Sequence, residues 1–190
     1  MYLTKKIVLI RHAKVKMSKL KRIPASEFAQ WVDSYNNANI KENFSFESDL
    51  DKVLNASDII ITSTLKRTID TAQLFKSSIY ESNVLFDEAQ LPLPNWKFLK
   101  FTPFVWLVIL RLLWFFGYSK KAESLKQTRQ RAKIAAEYLN NLSKKHNTVT
   151  LIGHGIMNKL IKKQLLLLNW QESKKLCNKN LGYGELSFME

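Results

Sequence analysis

The length, composition and charge of the chain already exclude several classes of protein. Its 190 residues favour one domain, and 46% hydrophobic residues with only five Gly and four Pro exclude disordered and fibrous chains. Thirty Lys and Arg against sixteen Asp and Glu give a net charge of +14, which attracts phosphates, anionic lipid or nucleic acid without choosing among them.

Polar side chains follow three strand-like runs along the chain. The runs are short, apolar and rich in β-branched residues, as buried strands are, and they cover residues 6–10, 58–62 and 148–152. Arg11 and His12 follow the first run, Arg67 follows the second, and His154 follows the third. The sequence therefore predicts three strands that each deliver polar groups at their carboxyl ends.

Helical patterns fill most of the chain between these strands. A helix is predicted over 26–37, with Ser26 as its N-cap and with Phe28 and Tyr35 on its apolar face. The other predicted helices cover residues 46–54, 68–77, 124–144 and 156–168. Two further strands are predicted, at residues 83–86 and 183–188.

The alternation of strands and helices predicts the fold class. We expect an α/β fold of three layers, α/β/α, with a mostly parallel central sheet. Ligands of such sheets bind outside the carboxyl ends of the strands. Arg11, His12, Arg67 and His154 would all project there.

Residues 103–118 form an unusually apolar segment, in which Arg111 is the only charge and six residues are aromatic. As a helix it would span roughly 24 Å, which is shorter than the roughly 30 Å hydrocarbon core of a bilayer. We therefore expect either a buried or lid helix, or a helix that lies in a membrane interface. Four lysines flank the segment: Lys97, Lys100, Lys120 and Lys121.

The strand-end residues suit phosphoryl transfer. An imidazole can attack phosphorus and hold the phosphoryl group covalently, provided that its other nitrogen is oriented by a hydrogen bond. The planar guanidinium groups of Arg11 and Arg67 match phosphate oxygens. Each residue alone is more often structural, but their occurrence together at three strand ends favours a phosphate site.

Three motifs resemble those of the histidine phosphatase superfamily, which has the phosphoglycerate mutase-like fold. Residues 9–13, Leu-Ile-Arg-His-Ala, resemble the family's Arg-His-Gly signature. Residues 63–72 resemble its second arginine motif, and residues 151–155, Leu-Ile-Gly-His-Gly, resemble its late His-Gly. The resemblance implies one histidine phosphatase-like domain over residues 1–190.

The resemblance also implies a role for each matching residue. His12 would be the nucleophile that becomes phosphohistidine, while Arg11, Arg67 and His154 would bind the phosphoryl group and stabilise its charge. Glu88 would donate a proton to the leaving oxygen and later activate water, with Asp87 as the alternative donor. The family needs no metal and no other cofactor for this chemistry.

The chain departs from the family pattern in ways that favour a phosphatase. Ala13 replaces the glycine that is usual after the nucleophile, and Lys14 stands where the mutases commonly have Glu or Gln. The apolar insertion around 91–122 replaces the usual continuation after Glu88 and would cap the substrate. Our interpretation is that the chain is a metal-independent phosphomonoester hydrolase whose substrate is a phosphorylated small molecule or a phosphoprotein.

The alternative hypothesis is that the chain is a catalytically weak or inactive family member that serves as a basic membrane- or partner-binding module. Residues 103–118 would make the peripheral membrane contact. We do not expect nucleic-acid binding, because no recognition motif accompanies the lysines. The sequence indicates no oligomeric state.

The remaining basic residues and the termini complete the expectations. Five cations just after His12 either attract a polyanion or lie in a solvated loop: Lys14, Lys16, Lys19, Lys21 and Arg22. Surface positions are expected for His146 and for four helical cations, Lys126, Arg129, Arg131 and Lys133. The one cysteine, Cys177, excludes an internal disulfide framework, and the first six residues lack the pattern of a secretory signal. We expect a cytoplasmic protein, with a location at the membrane periphery as the alternative.

Overall fold

The computed structural model describes residues 4–17, 21–41 and 49–189 and contains two sheets and six α-helices within them. The strands are β1 (Thr4–Arg11), β2 (Ile23–Pro24), β3 (Ile59–Thr62), β4 (Glu81–Ser82), β5 (Lys100–Phe101), β6 (Thr148–Gly153), β7 (Gln171–Lys174) and β8 (Tyr183–Met189). The helices are α1 (Phe28–Asn37), α2 (Leu50–Asn55), α3 (Lys66–Leu74), α4 (Pro103–Phe115), α5 (Leu125–Ser143) and α6 (Gly155–Leu167).

The central sheet has six strands in the order β4-β3-β6-β1-β8-β7. The pairs β3–β4, β3–β6 and β1–β6 are parallel, and only β8 runs against the other five strands. The register places Arg11 at the end of β1 directly opposite Gly153 at the end of β6. The expected mostly parallel sheet is therefore confirmed, and the ends of β1, β3 and β6 meet at one edge.

Helices cover both faces of the sheet because successive strand residues point to opposite sides. Ile7 and Leu9 of β1 lie in one buried cluster with α5 and α6, whereas Val8 and Ile10 lie in the other with α2 and α3. Both clusters are apolar. This arrangement is the expected α/β/α sandwich.

A third buried cluster joins α1 to the segment that includes α4. Phe28 packs with Trp106 and Leu110, and the indole N–H of Trp106 donates to the backbone oxygen of Ile23 at 2.8 Å. The short strands β2 and β5 pair antiparallel beside this cluster. The apolar segment therefore packs one stripe of α4 onto the rest of the molecule; we call residues 91–122 the cap.

Several sequence predictions of secondary structure were wrong. Residues 83–86 are not a strand: Val84–Phe86 form a 3-10 turn, because the side chain of Asn83 accepts a hydrogen bond from the Leu85 N–H and curls the chain. The strand lies just before, at β4. Ser26 is not an N-cap, because it lies inside a 3-10 turn that follows Pro24 and precedes α1.

Other predicted elements need smaller corrections. Residues 46–48 of the second predicted helix lie outside the described residues, and α2 begins at Leu50. The strand β7 was not predicted, since its residues are polar and exposed at the sheet edge. Ser124 does cap α5, through a capping box with Gln127. In the part of the chain that the structure describes, no helix is long and apolar enough to cross a membrane.

Candidate active site

The structure brings the two strand-end histidines and Arg67 together. The rings of His12 and His154 lie 5.1 Å apart between centroids. Arg67, in the first turn of α3, donates from Nε to Nδ1 of His154 at 3.3 Å. All three side chains are buried. The residue that follows β1, a residue in the first turn of α3 and the residue between β6 and α6 thus form one cluster.

The tautomer of His12 follows from its neighbour. Its Nδ1 lies 2.7 Å from the backbone oxygen of Ala13. A carbonyl can only accept, so Nδ1 carries the proton and Nε2 keeps its lone pair. Burial, followed by the positive charge of Arg67, lowers the pKa of His12 to about 3. His12 is therefore neutral near pH 7, which is the form that can act as a nucleophile.

The orientation of His154 is determined by bonds on both of its ring nitrogens. Because Nδ1 accepts from Arg67, the neutral ring carries its proton on Nε2, which donates to Oγ of Ser63 at 2.7 Å. Burial and then the charge of Arg67 lower the pKa of His154 well below its ordinary value. The second histidine is therefore a neutral, firmly oriented ring.

Two residues of helix α1 contact the guanidinium of Arg67. Asn36 accepts from NH1 of Arg67 at 2.8 Å, and the Tyr35 ring lies 5.2 Å from the guanidinium carbon. Burial lowers the pKa of Arg67 without removing its charge at neutral pH. Sequence reasoning placed Tyr35 on the apolar face of this helix and missed Asn36, because nothing in the local pattern indicates its partner.

Arg11 reaches the same edge from the end of β1. Its NH1 donates to the backbone oxygen of Asn178. Its Nε is buried and has no hydrogen-bond partner among the described residues. Its guanidinium lies over Gly155 at the start of α6, where an added Cβ would be in van der Waals contact with it at 3.5 Å. A buried guanidinium N–H without a partner is a donor that an anion could satisfy.

Backbone bonds from distant residues hold His12 in place. The side chain of Asn180 donates to the His12 backbone oxygen at 3.0 Å, and the Ala13 N–H donates to Oγ1 of Thr71 at 2.9 Å. Ala13 is fully buried, which explains why a small residue follows the nucleophile candidate. The loop before β8 therefore belongs to the site, which sequence reasoning did not find.

The position of the Asn158 side chain explains why a glycine, Gly153, precedes His154. This side chain donates to the Ile10 backbone oxygen at 2.9 Å and accepts from the His154 N–H at 3.3 Å, so it links β1 to the start of α6. A Cβ on Gly153 would lie 2.4 Å from Oδ1 of Asn158. Any larger residue at this position would displace the Asn158 side chain.

The two acidic candidates have different attachments. Both carboxylate oxygens of Asp87 bind the Thr64 hydroxyl at 2.9 Å, and one of them also accepts the Thr64 N–H at 2.8 Å. Glu88 accepts from the N–H groups of Ile156 at 3.3 Å and Met157 at 3.1 Å, in the first turn of α6. Asp87 therefore braces the turn after β3, while Glu88 lies beside the helix that starts directly after His154.

Two arginines hold the backbone of the loop that carries Glu88; we call residues 85–90 the acid loop. NH1 of Arg131 donates to the oxygens of Leu85 at 2.9 Å and Asp87 at 2.8 Å. Arg111 of α4 donates to the Ala89 oxygen at 2.8 Å. The expectation that Arg131 is a surface residue was wrong, because α5 packs over this loop and its guanidinium also pairs with Glu123 at 2.8 Å.

The remaining basic residues lie mostly as expected. Lys14, Lys16, Lys21 and Arg22 are largely exposed and form no ion pair with a described residue, whereas Lys19 lies outside the described residues. Lys126, Arg129 and Lys133 are exposed on α5. His146 is half-buried beside the Tyr80 ring, 5.9 Å away between centroids, rather than exposed. Within the described ranges, no group of three His, Cys, Asp or Glu side chains is arranged to hold a metal ion.

Comparisons with known proteins show what this fold is. No protein-family model matches the chain, and no curated protein sequence matches it. Solved structures do. The product of open reading frame Rv3214 from Mycobacterium tuberculosis is 15% identical, with 98% of this chain and 95% of that chain covered and a TM-score of 0.62.

Two further matches have named activities. Mycobacterial glucosyl-3-phosphoglycerate phosphatase is 14% identical, with 97% of this chain and 90% of that chain covered and a TM-score of 0.59. Phosphoglycerate mutase from Bacillus anthracis is 14% identical, with 98% and 89% covered and a TM-score of 0.59. The chain therefore has the fold of phosphoglycerate mutase and of this phosphatase, which is the fold that the resemblance of the three motifs implied.

Proposed function

We propose that this protein is a phosphomonoester hydrolase that works through a phosphohistidine at His12. The observation that carries the proposal is the state of that residue. Its Nδ1 is committed to the Ala13 oxygen and its pKa is lowered to about 3, so a neutral imidazole offers the Nε2 lone pair beside Arg67. A neutral ring beside a guanidinium group is suited to accept a phosphoryl group, because its nitrogen can attack phosphorus while the guanidinium stabilises the negative charge.

The first half of the reaction transfers the phosphoryl group to the enzyme. Nε2 of His12 attacks phosphorus, the bond from phosphorus to the ester oxygen breaks, and that oxygen leaves with the bonding electrons. A proton from Glu88 neutralises it. Arg11 and Arg67 stabilise the charge on the three non-bridging oxygens, as divalent cations do in other phosphoryl transfers.

The second half returns the enzyme to its starting state. Glu88, now a carboxylate, removes a proton from a water molecule, and the water oxygen attacks the phosphorus of phosphohistidine. The bond between nitrogen and phosphorus breaks, inorganic phosphate leaves, and His12 is again neutral. We assign the proton transfers to Glu88 because it contacts the first turn of α6, directly after His154, whereas Asp87 is bound to Thr64 in the turn after β3.

Hydrolysis without a metal is part of the proposal. Two guanidinium groups supply the positive charge that the transferring phosphoryl group needs, and the ring of His154 orients one of them, Arg67. Matches to a phosphatase and to a mutase of this fold support phosphate chemistry in general. We propose the hydrolase because Lys14 stands where the mutases commonly carry Glu or Gln, and because water alone completes the reaction.

The test is to replace His12 with Ala and to measure turnover of an aryl phosphate. We expect a loss of at least about 10³-fold, since removal of a catalytic nucleophile has effects of this size or larger. Rapid quenching of the natural chain should trap an acid-labile phosphoenzyme, which should be absent from the variant. His146→Ala is the matched control, because His146 lies away from the cluster beside Tyr80.

The alternative outcomes are distinct. Unchanged turnover in the folded His12→Ala chain would contradict the mechanism. Absence of turnover in the natural chain towards a broad phosphate panel, with vanadate still bound, would instead favour the inactive binding module. Circular dichroism of each variant separates loss of chemistry from loss of folding.

A further inference from the structure

The outward side of the cap exposes an unusual amount of apolar surface. Fourteen large hydrophobic residues are exposed among the described residues, and eight of them fall within residues 98–116. We call these eight the cap face: Phe98, Leu99, Phe104, Val105, Val108, Leu112, Phe115 and Phe116. Phe116 is 88% exposed and Phe98 is 78% exposed. A concentration of this kind marks an interaction site rather than ordinary surface.

The cap face is not needed to hold α4 in place. The helix already buries a complete stripe against the protein, consisting of Pro103, Trp106, Leu110 and Trp114. The indole N–H of Trp114 is satisfied by the Glu123 oxygen at 2.7 Å. The helix is thus apolar on the side that packs and also on the side that faces solvent, so its exposed side has a use other than folding.

The cap itself carries positive charge and no negative charge. Residues 91–122 contain five Lys and Arg and no Asp or Glu. Four of the five are exposed lysines that form no ion pair with a described residue: Lys97, Lys100, Lys120 and Lys121. They flank the helix at both ends. A partner for this surface must therefore be apolar inside and anionic at its edge.

We propose that the cap face docks on the surface of a bilayer that contains anionic lipid. A helix of 13 residues is roughly 20 Å long, so α4 would lie in the interface with its phenylalanines among the acyl chains. The lysines would meet the anionic headgroups. A second copy of the chain fits less well, because the lysines of two facing caps would repel one another.

Docking would bring the membrane next to the candidate active site through one residue. Arg111 lies on α4, its guanidinium stacks over Trp114 at 4.8 Å, and it donates to the Ala89 oxygen of the acid loop. The helix that enters the interface is therefore bonded to the loop that carries Glu88. Binding itself does not depend on catalysis, so this proposal stands or fails separately from the proposed function.

The experiment is co-sedimentation of the full chain with vesicles of phosphatidylcholine, with and without phosphatidylglycerol. We expect binding only to the anionic vesicles. The double variant Phe104→Ser with Phe116→Ser should weaken binding by more than about tenfold, because two phenylalanines no longer enter the acyl region. Leu167→Ser with Met189→Ser is the matched control, since both residues are exposed apolar side chains outside the cap.

A second pair of variants tests the charge. Changing the four cap lysines to Glu should weaken binding by more than about a hundredfold, since each lysine near an anionic surface contributes about fivefold. The control changes four exposed lysines elsewhere to Glu and lowers the net charge equally; these are Lys145, Lys159, Lys163 and Lys175. It should retain most of the binding.

Three results would overturn the proposal. The first is a natural chain that binds neither kind of vesicle, and the second is cap variants that bind no worse than their controls. The third is a dimer, seen by sedimentation velocity, that dissociates in the double Phe variant while the natural chain ignores vesicles. That result would assign the cap face to a second copy of the chain.

Discussion

The edge of the central sheet that carries the candidate active site differs from the cap in which side chains are buried and which are exposed. At that edge His12, Arg67 and His154 are buried, and they form hydrogen bonds with other protein groups, such as the bond of His154 to Ser63. In the cap, apolar side chains are exposed and lysines face solvent. Burial strengthens the polar interactions at that edge because it removes competing water, whereas exposure leaves the cap free to meet another surface.

The comparison predicts the largest effect at Arg67. Replacing it with Lys keeps a charge but loses the planar fork that reaches Asn36 and His154 together. We expect kcat/KM for an aryl phosphate to fall about 10³-fold, or about 4 kcal/mol in the transition state. Arg129→Lys on the exposed side of α5 should leave it unchanged; an equal loss there would contradict the assignment.

The buried histidines predict a dependence of stability on pH. The folded pKa of His12 is about 3, below its ordinary 6.5, so the unfolded chain binds the proton first as the pH falls. Its contribution is fully present above pH 6.5 and is lost from there down towards pH 3. Between pH 7 and pH 5 the loss is about 2 kcal/mol from His12, and His154 adds to it in the same direction.

Urea unfolding at several pH values between 5 and 7 measures this dependence. The variant His12→Gln should have a shallower dependence than the natural chain, because glutamine does not titrate. An identical pH dependence in the two proteins would show that His12 is not held neutral by the fold.

A smaller effect is expected where α5 meets the acid loop. Arg131→Ala leaves the backbone oxygens of Leu85 and Asp87 and the carboxylate of Glu123 without their donor. We expect the free energy of unfolding to drop by about 2 kcal/mol. The control Arg129→Ala, two residues away and exposed, should change it by less than about 0.5 kcal/mol. Similar losses in both variants would contradict the packing of Arg131 against the acid loop.

Arg111 connects the two regions, and its replacement sharpens the comparison. Arg111→Lys retains the charge near Glu88 but loses the fork that reaches the Ala89 and Gln90 oxygens. We expect kcat to fall about tenfold, which corresponds to about 1.4 kcal/mol in the activation free energy. KM should change little, because the substitution loosens the acid loop and leaves Arg11 and Arg67 in place. A rise in KM at constant kcat would instead make Arg111 a substrate-binding residue.

The smallest effect on stability is expected on the cap face. Phe116→Ser should change the free energy of unfolding by no more than about 0.5 kcal/mol, because this side chain is 88% exposed. Thermal or urea unfolding measures it. A loss of several kcal/mol would mean that the cap face packs within the molecule, and it would remove the basis for a docking surface.

Much of the fold and of the candidate site could be predicted because the signals are local. A strand that is buried on both faces needs a continuous apolar run, and the β-branched run before Arg11 and His12 is of that kind. It therefore indicates a strand with polar groups at its end without any knowledge of its neighbours. The same holds for the run before His154. The 3-10 turn at Val84–Phe86 escaped prediction because one side-chain bond from Asn83 outweighed a strand-like composition.

The sequence by itself determined the α/β class, the parallel strands and the order in which His12, Arg67 and His154 reach the sheet edge. Only the tertiary structure decided which long polar side chains face inward. Arg131 and Leu85 are 46 residues apart, and Asn180 and His12 are 168 apart. Periodicity reports which face of one helix or strand is apolar, but a bond between distant elements depends on how those elements pack, and no local pattern records that.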